Sequence, residues 1–307
     1  MRTVGLGFIS RVGLRRFEWL LAVCAVLAFA PLSRAQTAAE LKAARELPLF
    51  PEFTNPLTLS DPATGPGVSC PDPAIMSEAV QGVNVWYLYC TGDPLNSNDK
   101  DAKGHLRNHY IATWRSVDLT HWTYSGDAFP ADPAWVGLET NLWAPAVKYF
   151  NGRYYLYYVA PQTGGPGGPS EIGVATSAHA GGLWKDLGRP VVATESAPCC
   201  ANSNRAVIDP DVTQDTKGQR YISFGSFFGG ISIQKLSADG FTADKSSEVQ
   251  IAVDNLYEGG AFYQHDGWYY CLRRRRTAAM GRSRGIRWMW AGRGARWDRS
   301  WIAMAWR

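Results

Sequence analysis

The chain has 307 residues, 46% of them hydrophobic and 19% charged, with 31 Lys plus Arg against 27 Asp plus Glu and a formal charge of +4. This excludes a wholly disordered polymer, which needs low hydrophobicity and high charge, and six Cys in such a length exclude a small disulfide scaffold. The 13 Trp, 14 Tyr and 12 Phe, with 31 Gly and 18 Pro, favour many short strands joined by turns.

Residues 1–35 read as a secretory signal. Arg2, Arg11, Arg15 and Arg16 form a positive start, Trp19 to Pro31 is apolar, and Ser33-Arg34-Ala35 fits a small-x-small cleavage site. The apolar stretch falls short of the roughly 20 residues of a comfortable membrane span; the alternative is an uncleaved N-terminal anchor. Residues 36–50 form a leader, either a short helix or loose chain.

Residues 51–272 repeat themselves. An Asp-Pro or Ala-Pro element comes first and an aromatic strand follows about ten residues later. Asp72-Pro73-Ala74-Ile75 precedes Val85-Trp86-Tyr87-Leu88-Tyr89, and Trp143-Ala144-Pro145 precedes Tyr154-Tyr155-Leu156-Tyr157-Tyr158. Asp209-Pro210-Asp211 precedes Tyr221-Ile222-Ser223-Phe224, and Glu258-Gly259-Gly260 precedes Trp268-Tyr269-Tyr270-Cys271. A second strand follows in the first three units, over 110–116, 172–177 and 230–237, while the fourth unit stops after its aromatic strand. Asn151-Gly152, Lys217-Gly218 and Asp266-Gly267 are turn signals just before aromatic strands. A period of about 50–70 residues, with several strands per unit and no helical stretch between, predicts an all-β, propeller-type fold.

Residues 273–307 break the pattern. They hold eleven Arg, one acid (Asp298), no Lys and five of the Trp, a charge of +10. Arg, Gly, Ala and Trp have G-rich or GC-rich codons, and neither strand alternation nor a helical period runs through the segment. Such a composition is expected of a GC-rich gene read out of frame after about Leu272. The rival reading is a basic tail for RNA or anionic polymers. The first 35 residues carry +4, so the 237 between carry 15 basic and 25 acidic groups, or −10. The working body is acidic, and neither nucleic acid nor, after signal cleavage, a membrane is an expected partner.

Three unit starts bear an acid: Asp72, Asp209 (with Asp211 two residues on) and Glu258. Singly, each Asp-Pro reads as a turn. In a propeller the first strand of every unit lines the axis, so acids in register gather in one pocket, where like charges raise at least one pKa and suit general acid–base work. Trp143, then Phe227 and Phe228, are the candidates for stacking on a sugar face. With the signal removed, Cys70, Cys90, Cys199, Cys200 and Cys271 remain. Cys70 and Cys90 flank the first aromatic strand and are placed to pair; Cys199 and Cys200 are not assigned, and a mate for Cys271 is expected beyond the out-of-frame point. No CxxC or HExxH metal spacing appears.

Cys70-Pro71-Asp72-Pro73-Ala74-Ile75, Leu142-Trp143-Ala144-Pro145, Ile208-Asp209-Pro210 and Tyr257-Glu258-Gly259-Gly260, in this order, resemble the motifs of glycoside hydrolase family 43. The segments 221–231, 154–158 and 172–177 resemble its endo-1,5-α-L-arabinanases. The resemblance covers about residues 50–272 and implies a five-bladed β-propeller whose last blade or blades are incomplete in this chain. It implies Asp72 as general base, Glu258 as general acid and Asp209 as the acid that tunes pKa and orients substrate; Asp211 is a secondary possibility. The implied reaction is inverting hydrolysis of α-1,5-L-arabinan, with a plant cell-wall polysaccharide or oligosaccharide as partner and a secreted or periplasmic location. The alternatives are an exo-acting α-L-arabinofuranosidase or β-xylosidase of the same family, or an inactive carbohydrate-binding propeller fragment. Family members often hold calcium on the axis with a late His; no His follows His265 here, so no metal or other cofactor is expected. The missing closure also implies exposed strand edges, and hence weak folding or activity.

Overall fold

The computed structural model describes residues 57–137, 140–164, 168–194, 206–225, 229–252, 257–265, 268–275 and 286–293, together with Lys42. The expected signal, all of the expected leader but Lys42, the pair Cys199-Cys200, the pair Phe227-Phe228 and the expected turn at Asp266-Gly267 lie outside these residues.

The described strands form four sheets in chain order. The first contains β1 (Thr58–Asp61), β2 (Gly65–Gly67), β3 (Ala74–Val80), β4 (Val83–Cys90), β5 (Ala112–Ser116) and β6 (His121–Asp127). The second contains β7 (Trp143–Phe150), β8 (Arg153–Ala160), β9 (Glu171–Ser177) and β10 (Lys185–Asp186). The third contains β11 (Asp211–Gln214), β12 (Arg220–Phe224), β13 (Ile231–Leu236) and β14 (Ala243–Ala252); the fourth contains β15 (Tyr257–His265), β16 (Trp268–Arg275) and β17 (Ile286–Arg293). Each of the four is an antiparallel meander from β3, β7, β11 or β15 outwards. In the first sheet the β1–β2 hairpin is added beyond β6, with β1 parallel to it.

The tyrosine run of β8 shows why the sheets stack face to face. Successive side chains of a strand point to opposite faces, and a strand covered on both reads as continuously apolar. Tyr154, Leu156, Tyr158 and Ala160 join a core with Val85, Tyr87 and Tyr89 of the first sheet. Tyr155, Tyr157 and Val159 join a second core with Ile222 and Phe224 of the third. The buried hydroxyls find acceptors: Tyr157 donates to the Gly240 carbonyl at 3.0 Å and Tyr158 to Asp186 at 2.5 Å. The turns Gln81-Gly82 and Asn151-Gly152 have φ of 49° and 80°, and 51° and 71°, the left-handed pair that matches hairpin twist.

The fourth unit departs from the sequence reading. Its aromatic strand continues to Arg275, three residues past 272, and β17 pairs with it over 286–293, inside the Arg-rich segment. The alternation Ile286, Trp288, Trp290 is too brief to stand out among arginines; an available strand edge recruits it, as edges do.

Candidate active site

The strands β3, β7, β11 and β15 touch in sequence, β3 on β7, β7 on β11 and β11 on β15, and their starts surround a cleft of about 970 Å³. Asp72, Trp143 and Asp209 all line it, as do Asp211 and Gly259. Glu258 is the residue before Gly259 and stands opposite Arg274 in the β15–β16 register.

The same backbone feature recurs at each start. Asp72, Ala144, Asp209 and Gly259 have φ of 49°, 43°, 55° and 60°, and each is followed by Pro73, Pro145, Pro210 or Gly260. Left-handed backbone is uncommon outside Gly, and Asp tolerates it better than most side chains. Ala144 has no such excuse, and strain of this kind gathers at functional sites. The ladder slips here as well, between Trp143 and Ala146 and between Glu258 and Ala261. Asp72 and Asp209 are therefore equivalent to Ala144 and Gly259, whereas Glu258 is equivalent to Trp143. The three acids are not in strict register, because Glu258 stands one residue ahead of the kink.

Asp72 is exposed to the cleft. The buried Thr91, just past β4, donates its hydroxyl to Asp72 Oδ2 at 2.7 Å and accepts the Ala144 N–H at 2.8 Å. One side chain thus fixes the carboxylate and joins the first two sheets. Cys70 and Cys90, the expected pair, form a disulfide with Cα atoms 4.9 Å apart.

The acids at the start of β11 are held differently. Asp209 Oδ2 accepts the Gly259 N–H at 3.1 Å, so it sits against the backbone beside Glu258. Asp211 is buried and fully engaged. Its Oδ1 pairs with Lys148 Nζ at 2.7 Å, and its Oδ2 accepts the buried Phe262 N–H at 2.7 Å. Asp211 therefore ties β11 to β7 and β15.

Behind the Asp72 wall lies a polar core that sequence reasoning missed. His109 is 2% exposed. Its Nε2 meets Asp99 Oδ2 at 2.7 Å and its Nδ1 meets Asp127 Oδ1 at 2.8 Å; Tyr124 also donates to Asp127, at 2.7 Å. Burial works against a charged ring here, but the Asp127 and Asp99 carboxylates outweigh it and raise the His109 pKa. Nothing in the spacing of these four residues announces the cluster. Thr91, Lys148 and Asp93 were equally silent, since each carries meaning only through partners distant in sequence. Among the described residues no three His, Cys, Asp or Glu side chains are grouped to hold a metal ion.

The model of glycosyl hydrolases family 43 matches residues 68–278, more than half of the chain. An extracellular endo-α-(1→5)-L-arabinanase of Bacillus subtilis is 32% identical over 52% of this chain and 49% of its own length. An extracellular exo-α-(1→5)-L-arabinofuranosidase of Cellvibrio japonicus is 32% identical over 55% of this chain and 44% of its own. The chain thus spans about half the length of these curated relatives. The solved structure of a native Bacillus subtilis arabinanase superposes with a TM-score of 0.57 at 26% identity, covering 75% of this chain and 76% of that one. With a matching family model, the ordered motifs and an acid-lined cleft at the strand starts, the chain belongs to glycosyl hydrolase family 43.

Proposed function

We propose that this protein is an exported inverting glycosidase that cleaves α-1,5-linked L-arabinan. Asp72 acts as the general base, Glu258 as the general acid, and Asp209 orients substrate and tunes the acid's pKa. The observation that carries the reading is the shared cleft. Asp72 faces it on a hydroxyl anchor, and Asp209 lines it too, hydrogen-bonded to the amide that follows Glu258. In an inverting enzyme the base deprotonates a water held between it and the anomeric carbon. That water attacks from one face while the acid protonates the leaving oxygen on the other, with the carboxyls roughly 6.5–9.5 Å apart. Trp143, half-buried on the cleft wall, offers a ring for the sugar's C–H face, and Phe227 and Phe228 are proposed as further stacking residues. The four sheets are read as blades of a five-bladed propeller, in keeping with the contact order of their first strands. Export is supported by the N-terminal sequence and by relatives described as extracellular.

A product profile on debranched arabinan, arabino-oligosaccharides and xylo-oligosaccharides tests this. Mixed oligosaccharides from linear arabinan are expected. The exo relative favours one other outcome, release of monosaccharide alone. Binding of arabinan with no product at all would leave a carbohydrate-binding module instead.

A further inference from the structure

One carboxylate of the cleft has no part in this scheme. Asp93 lines the cleft near Asp72 and is half-buried. The other acids there are engaged: Asp72 by Thr91, Asp209 by Gly259, Asp211 by Lys148 and Phe262. Among the described residues the Asp93 carboxylate accepts no hydrogen bond, and Lys148 is the one cation lining the cleft. Burial and the neighbouring Asp72 charge both raise its pKa. A half-buried carboxylate without donors is costly until a ligand supplies them.

The backbone holds Asp93 rigidly. Its own N–H donates to the Thr91 carbonyl at 2.8 Å. Gly92 N donates to Leu142 O and Gly92 O accepts from His109 N, both at 2.8 Å. A Cβ on Gly92 would lie 1.8 Å from the His109 carbonyl oxygen, so only Gly fits. His109 is itself locked between Asp99 and Asp127. An ionised carboxylate only accepts hydrogen bonds, and those from hydroxyls to it are short and strong. The complementary ligand is a neutral polyol with adjacent hydroxyls.

We propose that Asp93 is a substrate-binding carboxylate that accepts hydrogen bonds from two adjacent hydroxyls of the sugar ring presented to Asp72. This rests on the glycosidase reading above. The test uses the full chain with Asp93→Ala and Asp93→Asn. Kinetics are measured on linear arabinan, and arabinotriose binding is followed by calorimetry in an Asp72→Asn background, where turnover is blocked. Asp93→Ala should raise KM and weaken binding by about ten- to a hundred-fold. Asp93→Asn, which keeps one acceptor, should lose less. Neither should lower the melting temperature, because no contact within the protein is lost. The KM of the unsubstituted protein should climb as pH falls through the raised Asp93 value, and Asp93→Asn should lack that rise. Unchanged KM and binding in both variants, or a weakening that tracks a lowered melting temperature, overturns the role of Asp93 while leaving a cleaving enzyme intact. If the unsubstituted chain neither binds nor cleaves arabinan, the functional reading and this one fall together.

Discussion

Asp72 and Asp211 line one cleft, yet their surroundings differ in kind. Asp72 is exposed and has one hydroxyl anchor from Thr91, leaving the rest of its carboxylate to the cleft. Asp211 is buried, with one oxygen paired to Lys148 and the other bonded to the Phe262 amide. A carboxylate whose oxygens are taken up by the protein holds the architecture together, whereas one held from behind is available to substrate. Asp209 too gives an oxygen to the protein, accepting the Gly259 amide at 3.1 Å.

That contrast can be broken by exchanging activity against stability. Asp72→Asn and Glu258→Gln should each lower turnover by roughly 10²–10⁴-fold, the usual worth of a positioned acid or base, with melting curves close to the parent; near-normal hydrolysis by either removes its assignment. Asp211→Ala should do the opposite, costing about 1–3 kcal/mol in a chemical melt because it orphans a buried amide and the Lys148 charge. An Asp211→Ala protein of parental stability but no activity would move Asp211 into the chemistry.

The His109 cluster sharpens the comparison through pH. Its folded pKa is raised, so its contribution to stability is full below the ordinary value of about 6.5 and is lost as pH climbs through the raised one. His109→Gln should therefore cost about 1.5–3 kcal/mol at pH 6, the worth of a charge-assisted hydrogen bond. The gap to the parent should narrow towards alkaline pH. A gap that is flat or widens with pH means that His109 is not held charged. The smallest effect belongs to Ala144, whose φ of 43° strains an Ala. Ala144→Gly relieves that strain but loosens the unfolded chain, for a net gain of at most about 1 kcal/mol. A clear loss of stability would show that the strain has been misread.

The strands were legible because tyrosine runs covered on both faces leave a continuous signal, and the turns because Asn151-Gly152 has few other uses. Asp72, Asp209 and Trp143 were legible because they recur at unit starts. The one-residue offset of Glu258 was not, since a backbone kink leaves no mark in residue type once Ala144 and Gly259 occupy it. Thr91 and Asp93 follow a strand as an ordinary Thr-Gly-Asp. Only the Ala144 amide, 53 positions away in the chain, and the His109 carbonyl explain them. The strand over 286–293 escaped because eleven arginines dominated the composition of its segment.

The disulfide has a consequence for where the protein can work. Cys70 lies two residues before Asp72 and Cys90 immediately before Thr91, so the bond brackets both partners of the 2.7 Å contact between Thr91 and Asp72. Closing a loop of this size restrains the unfolded chain by about 3 kcal/mol, and it also pins together the two ends that must meet. Such bonds persist in oxidising compartments and not in reducing ones. In a reducing compartment the clamp would be lost, and Asp72 would be kept against Thr91 only by weaker forces.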